Sequence, residues 1–120
     1  MNIGFKYGFR GIRKMLSTEK NFKIHLFLFL LLVVASLAFN ITRLEWCMVL
    51  LCSALVFSLE MLNSALEKIC DKIEPNQNAE IAWIKDVAAG AVLVAAIFSL
   101  VIAALIFIPY ILELCTTFEP

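Results

Sequence analysis

Charged residues are scarce in this chain of 120 residues, and apolar residues are abundant. Only 17% of the residues are Asp, Glu, Lys or Arg, whereas 62% are hydrophobic, and the mean hydropathy is +0.93. Small chains bury a smaller fraction of their surface than large ones, so a soluble domain of this size could not bury so much apolar surface. The composition therefore predicts a single domain over residues 1–120 that has lipid as the solvent for much of its surface.

Several familiar motifs are also missing. The sequence contains no GxxxxGK[ST], GxGxxG or HExxH motif, which excludes the common phosphate-loop, dinucleotide and zinc-hydrolase sites. Its net charge of zero gives no indication of nucleic-acid binding. The four cysteines form no CxxC pair, and we expect them to be free thiols that behave as small apolar residues. We expect no cleavable signal peptide, because no small-residue cleavage site follows the first apolar run.

The first 23 residues are basic and have a helical pattern. They hold six of the ten Lys and Arg residues. The apolar residues Phe5, Phe9, Ile12 and Leu16 recur at spacings of four, three and four, which is the period of a helix. This pattern predicts an amphipathic surface helix over residues 1–23, lying on anionic lipid.

Three apolar segments follow, at 24–39, 44–72 and 87–112. The second is expected to stay helical past its apolar part, because no helix breaker occurs before Pro75. The third has 26 residues without a charge, more than the roughly 20 that a membrane-spanning helix needs. A polar loop is expected over residues 73–84. The predicted fold is an all-α membrane protein with a surface helix and three transmembrane helices.

The basic residues also predict the orientation in the membrane. Nine of the ten lie in the N-terminal segment or near the loop after the second span, and Arg43 is the exception. Basic residues accumulate on the cytoplasmic side of membrane proteins. We therefore expect a cytoplasmic N-terminus and an external C-terminus.

The second span ends in a one-sided set of polar residues, Glu60, Asn63, Glu67 and Asp71, which we call the polar stripe. At 100° per residue these four positions fall within roughly 80° of one another around the helix. Glu60 lies roughly 24 Å from the start of the span, just inside the hydrocarbon layer. A carboxylate at that depth is costly and usually marks a functional site.

The like charges of the stripe repel one another unless a cation lies between them. Mg²⁺ is the economical candidate, because it binds one or two carboxylates and shares its other positions with substrate phosphates. Glu19, Lys85 and Asp86 are expected on the same side of the membrane. The whole set is suited to phosphoryl transfer without a phosphate loop. Alternatively, the carboxylates form ion pairs with nearby lysines at a solvated helix end.

The sequence resembles the prokaryotic diacylglycerol kinase family, which includes undecaprenol kinases. The resemblance rests first on Glu60-x-x-Asn63-Ser64-Ala65-x-Glu67-x-x-x-Asp71 and on Lys85-Asp86 followed by Ala88-Ala89-Gly90-Ala91-Val92-Leu93. Further pieces are Tyr7-Gly8-Phe9-Arg10-Gly11-Ile12-Arg13 and Glu19-x-x-Phe22-Lys23-Ile24-His25. They occur in the order and spacing of the family and cover residues 5 to about 105.

This resemblance implies a homotrimer in the bacterial inner membrane that uses ATP and Mg²⁺ to phosphorylate a lipid alcohol. Glu60 would be the catalytic base, and Glu19 and Glu67 would hold the metal. The remaining implied nucleotide-site residues are Tyr7, Asn63, Asp71, Lys85 and Asp86. Faces rich in small residues, such as Ala88–Ala91, would permit close helix packing in the trimer.

One departure from the family pattern concerns the polar loop, where many members have a histidine before Lys-Asp. This chain has Asn76-Gln77-Asn78 instead, so the resemblance does not extend to nucleotide contacts from the loop. The Phe22–His25 and Arg43–Trp46 segments look more like the undecaprenol-kinase branch, so undecaprenol is favoured over diacylglycerol as the substrate.

Two other classes of function stay open from the sequence alone. An ionisable residue inside the membrane such as Glu60 could serve a proton- or cation-coupled transporter subunit. That class predicts further polar residues deep in the first and third spans, which contain almost none. The other class is a scaffold for membrane proteins without catalytic activity. ATP consumption in the presence of a lipid alcohol would distinguish the three.

Overall fold

The computed structural model describes residues 2–118, and all regular structure in that range is helical. The helices are α1 (Asn2–Thr18), α2 (Lys20–Phe39), α3 (Arg43–Ile73) and α4 (Ala79–Thr117). Helices α2, α3 and α4 are each long and apolar enough to cross a membrane. The prediction of an all-α protein with three candidate spans is confirmed.

The chain divides into two compact units, residues 1–35 and 36–120. The first holds α1 and most of α2. Residue Glu19 interrupts the helical run between them, although its amide still donates to the carbonyl of Met15 at 2.9 Å. The predicted surface helix over residues 1–23 is therefore shorter, and residues 20–23 are the first turn of α2.

The second unit contains the end of α2 and an α3–α4 hairpin. Helix α2 ends at Phe39, and the next residue, Asn40, has a φ of 52°, in the left-handed region that terminates many helices. Thr42 then caps α3: its hydroxyl accepts from the Glu45 amide, and the Glu45 carboxylate accepts from the Thr42 amide. This reciprocal capping box satisfies two backbone donors that would otherwise lack partners.

Helices α3 and α4 pack antiparallel. They are joined by a short connection at residues 74–78, and contacts between them occur at both ends of the hairpin. Near the loop, Lys85 contacts Asp71. At the opposite end, the Tyr110 hydroxyl donates to Glu45, and the Tyr110 ring lies 5.8 Å from the ring of Phe39. We call this far end, defined by Phe39, Thr42, Glu45 and Tyr110, the closed end.

The long helix α3 agrees with the sequence, but the start of α4 does not. Helix α3 continues to Ile73, as the absence of a breaker predicted. The polar loop predicted over 73–84 is limited to residues 74–78, because Asn78 caps α4 by accepting from the amides of Glu80 and Ile81. Lys85 and Asp86 therefore lie in the second turn of α4 and do not open it.

Candidate functional site

The polar stripe lies on α3, and its exposure increases toward the loop. Glu60 is buried, with 8% of its surface exposed, and Asn63 is half-buried. Glu67 is exposed, and the side chain of Asp71 is 64% exposed. Among the described residues, Glu60 is the one buried carboxylate. The stripe thus leads from water at Asp71 to a carboxylate inside the protein.

The middle of the stripe is a contact between an amide and a carboxylate. The Asn63 Nδ2 donates to Glu67 Oε1 at 3.4 Å, across one turn of α3. This distance is at the long limit of a hydrogen bond. The Asn63 Oδ1 is buried and accepts no hydrogen bond within the described part of the chain. A buried acceptor without a donor is uncommon in folded proteins. The Asn63 Oδ1 is therefore suited to accept a hydrogen bond from a ligand or a water molecule.

An ion pair closes the loop end of the hairpin. Lys85 Nζ lies 2.6 Å from Asp71 Oδ1, and the Lys85 side chain is 37% exposed. Exposed ion pairs contribute little to stability, so the contact matters mainly because it fixes where the lysine is. It places a cation from α4 at the water-facing end of the stripe on α3. Asp86 is exposed on the next position of α4.

An open cavity adjoins this lysine. Its volume is about 470 Å³. Its lining comprises residues 74–79 with Ile81, Ala82 and Lys85. Two side chains of the loop already make structural hydrogen bonds. Glu74 Oε1 accepts from the backbone amide of Asn76, and Asn78 Oδ1 caps α4. The pattern Asn-x-Glu at 78–80 is a local capping signal that would have revealed the start of α4 and hence this cavity.

The other two predicted site residues, Tyr7 and Glu19, belong to the first unit. Tyr7 is exposed on α1, with the Arg10 guanidinium carbon 5.2 Å from its ring centre. Glu19 is half-buried at the interruption between α1 and α2. Their predicted roles, in the nucleotide site and as a metal ligand, stay predictions.

The donor set bears on the predicted metal. Within residues 2–118, no group of three or more His, Cys, Asp or Glu side chains is gathered as a metal site. Zinc and calcium sites usually need such a group, whereas Mg²⁺ keeps several waters and takes one or two carboxylates together with substrate phosphates. Glu67, exposed and carrying one weak hydrogen bond, fits this second arrangement.

Comparison with known proteins adds to this geometry. The family profile described as prokaryotic diacylglycerol kinase matches residues 6–107. The chain belongs to this family. The match includes every residue of the candidate site, from Tyr7 to Asp86, so the resemblance drawn from the sequence motifs is confirmed.

Two relatives with assigned names are similar to the chain over most of its length. It is 34% identical over 113 residues to a diacylglycerol kinase of Synechocystis, a match that covers 93% of this chain and 65% of that protein. It is 35% identical over 105 residues to an undecaprenol kinase of Bacillus subtilis, covering 88% of this chain and 85% of that one. The chain thus spans about two thirds of the length of the Synechocystis relative.

Proposed function

We propose that this protein is a lipid kinase that transfers the γ-phosphoryl group of ATP to the hydroxyl group of a membrane lipid. The observation that carries the proposal is the polar stripe: a buried carboxylate, Glu60, lies on the same helix face as water-exposed groups suited to binding phosphates. The names of both relatives support the same reaction class. No corresponding observation favours the transporter or the scaffold.

The proposed orientation places ATP and the polar stripe on the same side of the membrane. Nine of the ten basic residues lie in residues 1–23 or around the 74–78 loop, which favours a cytoplasmic location for both in the bacterial inner membrane. Helix α1 would lie on that surface as an amphipathic helix. Cysteine-accessibility labelling should find position 78 cytoplasmic and position 118 external, and the reverse pattern would contradict the orientation.

Glu60 would act as the general base. The lipid hydroxyl oxygen attacks the γ-phosphorus of ATP, its proton passes to Glu60, and the bond to the bridging oxygen breaks to release ADP. Helix α3 positions Glu60 roughly 10 Å along its axis from Glu67. The proton-accepting carboxylate would therefore lie deeper in the membrane than the carboxylate that holds the metal.

Glu67, with Glu19, would hold Mg²⁺. The ion, when bound, supplies charge neutralisation of the phosphate oxygens during transfer. The residues of this chain do the positioning. Asn63 orients the Glu67 carboxylate through its Nδ2, and its Oδ1 can accept a hydrogen bond from a ligand. Asp71 holds Lys85 at the mouth of the stripe until a phosphate competes for the ammonium group.

The nucleotide would lie between this lysine and the cavity beside the 74–78 loop. Lys85 would contact phosphate oxygens, and Asp71 and Asp86 would shape the site around the rest of the nucleotide. Tyr7 is the proposed contribution from α1. Because the loop has Asn76-Gln77-Asn78 and no histidine, contacts from it would use amide groups.

We propose a homotrimer as the working form. Most apolar side chains of the candidate spans are exposed in the single chain, which leaves wide apolar surfaces for lipid or for other copies. Three spans alone do not enclose both a nucleotide and a lipid. The small residues Ala88–Ala91 of α4 would allow the close approach that helix association in membranes needs.

The preferred lipid is proposed to be undecaprenol, with diacylglycerol as the other candidate. The two relatives differ by one percentage point in identity, so the proposal rests on the resemblance of the Phe22–His25 and Arg43–Trp46 segments to the undecaprenol-kinase branch.

The deciding experiment incubates purified protein with labelled ATP, Mg²⁺ and either undecaprenol or dioleoylglycerol in mixed micelles. Label should appear in a lipid phosphate with one or both alcohols, faster with undecaprenol. Equal labelling of dioleoylglycerol would contradict the substrate preference alone. ATP hydrolysis without labelled lipid, or no consumption of ATP, would contradict the kinase proposal.

A further inference from the structure

Helix α1 carries a basic pocket that the proposed reaction does not use. Lys6, Phe9, Arg10 and Arg13 line an open concavity of about 360 Å³ on this helix. We call these four residues the α1 basic pocket. It lies within the first unit, whereas the polar stripe belongs to α3 in the second.

The pocket has cations without a nearby carboxylate on its own helix. Residues 2–18 contain four basic residues and no acidic one. Lys6, Arg10 and Arg13 are spaced by four and three residues, so they share one side of the helix and repel one another. A bound anion would relieve this repulsion, and a phosphate with several oxygens could contact more than one of them.

One cation of the pocket is held by an aromatic ring. The Arg10 guanidinium carbon lies 5.2 Å from the ring centre of Tyr7, one turn earlier. A guanidinium stacked in this way still directs N–H donors outward, and its fork matches a pair of phosphate oxygens. Less side-chain freedom is then lost when an anion binds.

The fourth residue indicates which anion fits. The Phe9 side chain is 70% exposed among these cations, and Phe5, one turn earlier, is 74% exposed. A free nucleotide or inorganic phosphate would leave both rings in water. A phospholipid offers a phosphate for the cations and acyl chains for the rings, which is how basic amphipathic helices bind the membrane interface.

We propose that the α1 basic pocket binds the headgroup phosphate of an anionic glycerophospholipid, with Phe9 against the first carbons of its acyl chains. The bound lipid would be a retained ligand and not the substrate. The pocket binds it whether or not the kinase reaction proceeds, so a binding measurement tests it independently of the proposed function.

The test counts lipids bound to the full chain by native mass spectrometry in a neutral detergent. Dioleoylphosphatidylglycerol is titrated against dioleoylphosphatidylcholine, which has the same chains but no net charge. The wild type should retain the anionic lipid selectively. The double variant Arg10→Gln with Arg13→Gln should bind it about tenfold more weakly, since two charge-assisted contacts with the headgroup phosphate are lost.

Lys14→Gln is the matched control, because Lys14 carries the same charge on the same helix but does not line the pocket. It should bind the anionic lipid within about twofold of wild type. The double variant Arg10→Lys with Arg13→Lys keeps both charges but loses the guanidinium forks, so its binding should lie between that of the wild type and that of the glutamine double variant. Circular dichroism and size-exclusion chromatography on each preparation exclude misfolding as the cause of a loss.

Three results would overturn the proposal. Equal retention of both lipids by the wild type, or an equal loss in Lys14→Gln, would mean that only general charge or hydrophobic attraction is present. Weaker binding of a non-hydrolysable ATP analogue by the arginine double variant, with lipid retention unchanged, would assign the pocket to nucleotide.

Discussion

The two ends of the α3–α4 hairpin use polar residues in opposite ways. At the closed end, Thr42 and Glu45 exchange hydrogen bonds in a capping box, and Glu45 also accepts from Tyr110. At the loop end, Asn63 and Glu67 make one contact of 3.4 Å, and the Asn63 Oδ1 accepts nothing within the described residues. Polar groups that have structural partners stabilise a fold, whereas groups with spare capacity can bind a ligand.

This contrast also explains why the acidic residues of α3 are not equivalent. Glu45 and Glu60 are both carboxylates on one long helix. Glu45 lies in the first turn, where a negative charge is favourable beside the helix N-terminus, and it has backbone and side-chain donors. Glu60 lies in the middle of α3 and is buried. Burying a carboxylate there costs free energy and usually marks a functional position. We therefore expect that removing the Glu60 carboxylate lowers activity, whereas removing a hydrogen bond of Glu45 lowers stability.

The largest expected effect is on turnover in Glu60→Gln. Glutamine keeps the size of the side chain and cannot accept the hydroxyl proton, so turnover should fall by on the order of 10²–10⁴. Affinity for an ATP analogue should stay within a few-fold. Glu113→Gln, which removes an exposed carboxylate near the end of α4, is the control and should keep wild-type turnover.

The next effect concerns Mg²⁺ in Glu67→Gln. Removing the charge of a metal ligand should shift the Mg²⁺ titration of activity to higher concentration by roughly tenfold or more, and lower the maximum, because the ion bridges phosphate oxygens. Glu19→Gln should behave in the same way. Glu80→Gln, an exposed carboxylate near the same loop, should leave the titration curve unchanged. If Glu67→Gln and Glu19→Gln both keep the wild-type Mg²⁺ titration curve, these two residues are not metal ligands.

A smaller effect is expected on ATP binding in Lys85→Gln. The KM for ATP should rise by about tenfold, because one charge-assisted contact with phosphate is lost. Lys72→Gln removes a charge from the same end of the hairpin and should alter KM by less than twofold. An equal rise in both variants would mean that Lys85 acts only through the general positive potential.

The smallest effect on activity is expected at the closed end. Tyr110→Phe removes the hydroxyl donor to Glu45 and keeps the ring beside Phe39. The midpoint of thermal unfolding should fall by a few degrees, while turnover below the transition stays near that of wild type. Unchanged stability would show that the hydrogen bond is not a structural tie.

Much of this architecture could be predicted from local patterns. The lengths of the apolar segments predicted the three spans. The absence of a helix breaker before Pro75 predicted that α3 continues past its apolar part. The predicted start of α4 was wrong. The charged pair Lys85-Asp86 suggested that the helix begins there, whereas the N-cap is Asn78, seven residues before Lys85. Helix capping is a one-residue signal and is easily outweighed by hydropathy.

The candidate site was predictable where it lies on one helix and not where it joins two. The polar stripe follows from the 100° period of α3 alone. The Lys85–Asp71 contact depends on how tightly the loop turns, which the sequence does not specify. The Tyr110–Glu45 hydrogen bond joins residues 65 positions apart, and no local pattern connects them.

The most direct test measures turnover and the midpoint of thermal unfolding on the same preparations of wild type, Glu60→Gln and Tyr110→Phe. Glu60→Gln should lose turnover by on the order of 10²–10⁴ with an unchanged midpoint. Tyr110→Phe should have a lower midpoint and keep its turnover. If Glu60→Gln phosphorylates the lipid alcohol within a few-fold of wild type, Glu60 is not the base and the assigned roles of the two ends are wrong.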